Sequence, residues 1–431
     1  MKHLFVAVGS VGDVYPYLGI GHRLRQRGHD VALIASPYYE KQVRDLDLEL
    51  IPLGTVEDQL EMIHHPLAWH RNKGWRVWVE YGAVRPLRSI YRLILKHYVP
   101  HETVVTASWG GLAARLAQET HGISLASLHL MPDVFRSRHK DALAIGPRWA
   151  KELQFHIADR WVIDPLLQPV TEFREELGLP RMRRYLDSWW HSPQLVLGLF
   201  PEWWAAPQPD WPQNTVLTGY PLWDNNLDGE LPDDVEAFLS QGEAPVVFAP
   251  GVIRPQAKHF FEIAAKVCER QGLRAIFVTQ HPDILPERLP SGVRHFHYVP
   301  FGPLFRRARA VVHHAGTGTT WQCLAAGVPQ LVIPPMHLHR DTARRLWRHR
   351  LGHVLLPLLF GERSLRIELG KVLNDAELPG RCRAIAARLT EDATDPICDR
   401  LETLVGAEQP VVLPHRRANL ARGQIGPATT S

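Results

Sequence analysis

One apolar run in this chain ends in two histidines, two glycines and three threonines. Val311-Val312-His313-His314-Ala315-Gly316-Thr317-Gly318-Thr319-Thr320, followed by Leu324-Ala325-Ala326-Gly327-Val328-Pro329-Gln330, reads as a buried strand, a glycine-rich turn and a helix. Such a turn can cradle a diphosphate. Gly316 and Gly318 let the backbone approach an anion around Thr317, the free N–H groups of the next helix point at it, and His314 and Thr319 add side-chain donors. No lysine follows the glycines, which excludes a Walker loop, and the spacing is not the G-x-G-x-x-G of dinucleotide folds. A plain strand-to-helix turn capped by Thr319 is the alternative reading.

A second turn carries a carboxylate. Gly9-Ser10-Val11-Gly12-Asp13-Val14-Tyr15-Pro16 follows the first apolar run and leads into a helix ending at Arg27-Gly28-His29. Gly9, Ser10 and Gly12 form the backbone turn, and Asp13 falls at the carboxyl end of the sheet, the edge where open α/β sheets bind ligands. Its alternative role is to cap the helix, with Pro16 in the first turn. A carboxylate facing a diphosphate cradle across a cleft suggests group transfer, in which the base removes a proton from an acceptor hydroxyl while a nucleoside diphosphate leaves. Fixed amides, His314 and Thr319 would stabilise the leaving charge, an effect of about 2–4 kcal/mol per key donor. A metal is then unnecessary. With no HExxH helix and no EF-hand loop, neither a metal nor a cofactor is assigned. The pairs His64-His65, His295/His297 and His337/His339 have no cysteine or carboxylate nearby to complete a tetrahedral zinc set.

These turns need a frame. A chain of 431 residues exceeds what one core usually holds, so two domains of about 200 residues each are expected. Apolar runs of strand length alternate with helical patterns over residues 4–8, 16–27, 31–35 and 38–46. The alternation returns at 246–249, 257–270, 275–279, 311–314, 319–326 and 330–333. That is the parallel βαβ pattern, so the fold class is α/β with two doubly wound parallel-sheet domains. The polar, turn-rich stretch between them divides the chain into a first domain at 1–222, a hinge linker at 223–235 and a second domain at 236–407. A tail without periodicity follows at 408–431, expected to be disordered.

Composition narrows the function further. A formal charge of +4, spread over 49 basic and 45 acidic residues, is too weak and mixed for nucleic acid. Four separate cysteines without a C-x-x-C pair fit reduced thiols in a cytoplasm. The N-terminal run reads as a strand rather than a signal peptide, because Gly12-Asp13 and a helix follow without a cleavage site. No apolar run approaches the roughly 20 residues of a membrane span, so any bilayer contact is peripheral. Of 14 tryptophans, all but Trp321 and Trp347 precede residue 224. Large aromatics are more often core than pocket, yet this excess also suits an apolar acceptor site or a membrane-facing groove.

Taken together, Gly9 to Val14 with Pro16, the Arg27-Gly28-His29-Asp30-Val31 turn, and His313 through Gln330 resemble the family 1, GT-B glycosyltransferases of bacterial and sterol type. Trp190-His191-Ser192-Pro193-Gln194, Leu199-Phe200-Pro201, Pro207-Gln208, Asp210-Trp211-Pro212 and Thr218-Gly219-Tyr220-Pro221-Leu222 extend the likeness over residues 3 to about 405. Within the family they make the protein most similar to the rhamnosyltransferases of rhamnolipid synthesis.

The resemblance implies two Rossmann-like domains facing a central cleft, with the nucleotide sugar held mainly by the second and the acceptor by the first. It makes Asp13 the base, His314 the diphosphate ligand, and Gly316, Thr317, Gly318 and Thr319 the cradle. It sets Tyr298-Val299-Pro300-Phe301 at the nucleobase, implies inversion at the anomeric carbon, and has the last helix, near 395–404, cross back to the first domain. Two departures bear on the sugar. Gly251 is followed by Val252 where the family has Ser, and Leu338-His339 replaces an Asp-Gln pair that holds sugar hydroxyls; an apolar side chain cannot accept those bonds. Arg254 could restore positive charge by the diphosphate, and His337, His339, Arg340 or Asp341 could reach the sugar.

The leading expectation is a cytoplasmic, metal-independent inverting glycosyltransferase, peripheral to the inner membrane if it touches one. It would move a hexose such as L-rhamnose from a dTDP or UDP donor to a hydroxyl of a lipid or other apolar acceptor. The alternatives are a UDP-glucose-dependent enzyme acting on a sterol, carotenoid or polyketide, and a catalytically degenerate binding or activating subunit.

Overall fold

Strands that read as unbroken apolar runs, rather than as an alternation, must be covered on both faces, which is the condition of a parallel sheet. The computed structural model, which describes residues 1–141, 144–187, 189–223, 230–251, 254–389 and 393–406 with the side chains of 254–256, 337 and 338 left aside, has two such sheets. The first contains Lys2–Val6 (β1), Asp30–Ala35 (β2), Glu49–Pro52 (β3), Thr103–Ala107 (β4), Leu125–His129 (β5), Leu195–Gly198 (β6) and Thr215–Leu217 (β7). Their order is β3-β2-β1-β4-β5-β6-β7, all parallel. The second contains Val246–Ala249 (β8), Ala275–Val278 (β9), Val293–Phe296 (β10), Ala310–His313 (β11), Gln330–Val332 (β12) and Gly352–Val354 (β13). Its order is β10-β9-β8-β11-β12-β13, again all parallel. Leu4, Val6, Leu33, Val105, Val247, Phe277 and Val312 are fully buried, as helices on both faces require.

Helix starts depart from the pattern-based expectation. The first helix spans Val11–Gln26 and begins five residues before the expected start. The reason is capping: Asp13, at its third position, reaches back and accepts from both the backbone N–H and the hydroxyl of Ser10 at 2.8 Å. Pro16 therefore lies inside the helix, not in its first turn. The helix after β11 spans Thr317–Ala326, with Gly316 as its N-cap in extended conformation. Thr319 is consequently the third helical residue and not the cap, because Gly316 leaves the strand already turned.

The two halves meet along an aromatic seam. Trp203 and Trp204, which follow β6, pack against Trp321 with ring centroids 6.1 and 5.3 Å away, and Tyr220 stacks on Trp321 at 5.8 Å. The last described helix, Thr394–Glu402, lies against Val11–Gln26 and buries Ile397, Cys398 and Leu401. Its acidic face pairs with the first domain: Asp395 takes Arg23 at 2.6 and 2.7 Å and Arg27 at 2.5 Å, Asp399 takes Arg27 at 2.7 Å, and Glu402 takes His29 at 2.8 Å. Those pairs hold the Asp395 carboxyl far below its ordinary range. The chain passes between the sheets twice, and the two crossings touch: Gly219 has φ +93°, and a Cβ there would lie 3.1 Å from that of Ala393. Residues 224–229 of the linker expected at 223–235, and the tail expected from 408, lie outside the described residues.

Candidate functional site

Strand order fixes where a ligand can sit. In the first sheet the connections reverse direction between β1 and β4, in the second between β8 and β11, and a crevice opens beyond the carboxyl ends of strands at each such point. Both crevices open into one cavity of about 1200 Å³. From the first domain Ser10, Gly12 and Asp13 line it; from the second, Gly251, His314, Gly316, Thr317, Gly318 and Thr319 do. The two turns singled out by residue type are thus brought to one space.

Asp13 is both a cap and a wall of this cavity. Its Oδ2 is committed to Ser10, while Oδ1 has the Trp109 indole N–H at 3.5 Å. Burial raises its pKa above the ordinary 3.8, against the lowering effect of the Ser10 and Trp109 hydrogen bonds. A carboxylate held in this way is more basic than one in water, which suits proton abstraction. Gly9 is needed for it: its φ is +129°, and a Cβ there would come within 2.5 Å of Asp13 Oδ2. Tyr39 Oη and Gln59 Nε2 donate to the Gly9 carbonyl at 3.1 and 2.8 Å, fixing the turn from behind.

On the opposite wall the His314 ring lies between two glycines. A Cβ on Gly251 would meet the ring at 2.5 Å and one on Gly316 would meet it at 2.3 Å. Burial lowers the His314 pKa to about 4, against the raising effect of a hydrogen bond to the Ala249 backbone, so the ring is neutral at pH 7; its Nδ1 is buried with no hydrogen-bond partner among the described residues. His339 stands edge-on at 5.2 Å, also held far below its ordinary pKa by burial, and its Nδ1 is likewise without a partner among the described residues. His313 points the other way, bonding Gln330 at 2.9 Å, and is structural. The amides of Thr317, Gly318 and Thr319 belong to the first helical turn, where they have no carbonyl within the helix to bond. First-turn amides and the His314 ring lining the same space are suited to an anion.

Tyr298 and Val299 line the same cavity. The side chains of Arg254 and His337, both expected here, lie outside the described residues, as does Val252. Among the described residues no group of three His, Cys, Asp or Glu could hold a metal. The Asp45-Leu46-Asp47 triplet does not line the cavity and is engaged with Lys41 at 2.6 Å and Arg25 at 2.8 Å.

Several wall residues escaped the sequence reading. Asp133 stands just past β5, Oδ1 unpartnered among the described residues, its pKa pushed up to about 7 by burial and then by Asp341. The sequence signal is weak: Asp133 follows a buried strand as Asp13 does, but no glycine turn marks it. Arg344 brings a cation to the second-domain wall beside Arg340, which was expected near the sugar, and Trp109 seats Asp13. The tryptophans divide by place. Trp69, Trp75, Trp78 and Trp190 line the cavity, Trp189 is buried against Arg174, Trp203 and Trp204 form the seam, and Trp149 and Trp161 are 72 % exposed. Neither the core nor the pocket expectation covers them all.

Comparison with known proteins gives two family matches: "Glycosyltransferase family 28 N-terminal domain" over residues 3–124 and "Erythromycin biosynthesis protein CIII-like, C-terminal domain" over residues 275–401. O-mycaminosyltylonolide 6-deoxyallosyltransferase of Streptomyces fradiae is 27% identical, over 95% of this chain and 100% of that one. The dTDP-epi-vancosaminyltransferase of Amycolatopsis orientalis is 26% identical over 77% and 79%. Among solved structures, the spinosyn rhamnosyltransferase SpnG complexed with thymidine diphosphate superposes with a TM-score of 0.65 at 17% identity, covering 92% of this chain and 99% of that one.

Proposed function

We propose that this chain, a glycosyltransferase with the GT-B architecture, moves a 6-deoxyhexose such as L-rhamnose from its thymidine diphosphate donor onto a hydroxyl of a large apolar acceptor, inverting the anomeric carbon. The observation that carries this reading is the single cavity with Asp13 on one wall and His314 with the amides of Thr317, Gly318 and Thr319 on the other. Asp13 Oδ1 takes the acceptor's hydroxyl proton as the oxygen attacks the anomeric carbon. The bond from that carbon to the diphosphate oxygen breaks on the opposite side, and the charge left on the diphosphate meets first-turn amides and the neutral His314 ring. Tyr298 and Val299 receive the base.

Relatives named as a 6-deoxyallosyltransferase and a dTDP-epi-vancosaminyltransferase, and a similar structure complexed with thymidine diphosphate, support the donor class. The acceptor side is apolar, with Trp69, Trp75, Trp78, Trp190, Met131 and Phe155. It suits a lipid hydroxyl or a polyketide-like ring system.

Mass spectrometry of products would test this, using dTDP-rhamnose, dTDP-glucose and UDP-glucose, each with a hydroxyacyl lipid, a sterol and a polyketide aglycone. Transfer from the dTDP-deoxy donor is expected. Turnover with UDP-glucose alone would overturn the donor assignment. Binding of thymidine diphosphate without any turnover would instead make the chain a binding subunit.

A further inference from the structure

The helix Arg148–Ala158 and the π turn Asp159–Ile163 that continues it bury one side and leave the other bare. Ile145, Trp149, Leu153, Ile157 and Trp161 recur every four residues and are between 50 and 72 % exposed. A four-residue step overshoots the 3.6-residue turn of an α-helix, so such a row would spiral away; the wider π turn before Trp161 opposes the drift. Lys151, Phe155 and Asp159 face inward, and Gln154, Ala158 and Val162 line the acceptor end of the cavity. The helix therefore lies between that cavity and an apolar strip of surface, and Ile145, at the start of the strip, also lines the cavity.

Charge on this helix is sorted as well. Arg148, His156 and Arg160 are exposed beside the strip. Its carboxylates are turned to other work: Asp159 is buried against Arg136 at 2.7 Å, and Glu152 pairs with Arg184 at 2.9 Å. Tryptophan at both ends, aliphatic residues between and arginine at the margins is the distribution of a helix lying in a membrane interface, where indoles sit at headgroup depth and guanidinium groups meet lipid phosphate. Exposed apolar strips of this kind are otherwise uncommon on soluble domains.

We infer that the outer face of residues 148–163 docks on an anionic phospholipid bilayer, setting the acceptor end of the cavity one helix away from the lipid. The inference is independent of the donor assignment and of which acceptor is used. The full chain, mixed with vesicles of phosphatidylglycerol and phosphatidylethanolamine, floats with them in a density gradient, and floats less with phosphatidylcholine alone or at high salt. W149S/W161S lowers the vesicle-bound fraction by about tenfold or more. Its melting temperature and thymidine diphosphate affinity stay at wild-type values, because both side chains lie in solvent. R148E/R160E removes the preference for anionic vesicles.

Wild-type protein left at the bottom of the gradient with both vesicle types would overturn the inference. So would unchanged flotation of the double tryptophan variant. Light scattering covers the remaining occupant: a wild-type dimer that becomes monomeric in W149S/W161S, with no flotation by either protein, would assign the strip to a second copy of this chain.

Discussion

Asp13→Asn tests the division of labour most directly. Asparagine keeps the shape of the side chain, and its carbonyl can accept from the Ser10 N–H now held at 2.8 Å, so the cap on Val11–Gln26 survives. What is lost is the basic Oδ1 that accepts from Trp109 and lines the cavity. Removing a general base of this kind lowers the chemical step about 10²- to 10⁴-fold, or about 3–5 kcal/mol of transition-state stabilisation. Thymidine diphosphate binds the other wall, so its affinity in calorimetry stays within about twofold of wild type. Stability moves the opposite way to activity. The folded-state pKa of Asp13 is raised by burial, so its favourable contribution is complete below the ordinary carboxylate value of 3.8 and is lost as pH rises through the folded pKa. At pH 8 the asparagine variant therefore melts no lower than wild type, and at pH 4 it loses that advantage. Single-turnover rates within tenfold of wild type would remove Asp13 as the base, and a parallel loss of diphosphate affinity would mean that the substitution had damaged the cleft as a whole.

Three further substitutions probe other walls of the cavity. His314→Ala deletes a buried donor that is neutral above about pH 4, so it weakens thymidine diphosphate binding about tenfold by calorimetry, with the same loss at pH 6 and pH 8. Gly316→Ala inserts a Cβ that would lie 2.3 Å from the His314 ring; the ring must shift, and diphosphate affinity falls while circular dichroism remains native, since φ at Gly316 is an ordinary −63°. Asp133→Asn removes a carboxyl whose pKa is pushed up to about 7, so urea melts show the variant more stable by about 1–3 kcal/mol at pH 8 and equal to wild type near pH 3.5.

The frame was legible because parallel sheets bury both faces of each strand, which leaves runs such as Val246–Ala249 unbroken in sequence. Side-chain geometry was not legible. Periodicity began the first helix near Pro16, whereas the Ser10 and Asp13 pairing starts it at Val11; it began the other near Thr319, whereas Gly316 starts it at Thr317. The cradle glycines suggest close approach of the backbone to an anion, but at Gly316 the close neighbour is the His314 ring, and the positive φ of the turn, 64°, falls on Ala315. Asp133 went unread for want of a local pattern: a single aspartate after an apolar run is common, and only its burial beside Asp341 distinguishes it. Tryptophan composition could not tell the seam at Trp204 from the cavity at Trp78, because both demand a large apolar ring.

The neutral state of His314 has a consequence for the whole reaction. A ring with a pKa near 4 holds no spare proton at pH 7, so it cannot act as the acid that releases the leaving group. It can only orient a hydrogen bond, and the first-turn amides beside it do the same. A diphosphate needs no protonation to depart, since its charge is already spread over several oxygens, so stabilisation by fixed dipoles suffices. Asp13 then remains the group in the proposed reaction path whose ionisation governs the rate, its pKa raised above the ordinary carboxylate value by burial. The pH dependence of kcat/KM should rise along a single limb, set by the raised pKa of Asp13, and stay level through pH 8. In Asp13→Asn that limb should vanish along with most of the rate. A bell-shaped wild-type profile with a descending limb below pH 8 would require an acid on the second-domain wall, and the dipole account of the cradle would fail with it.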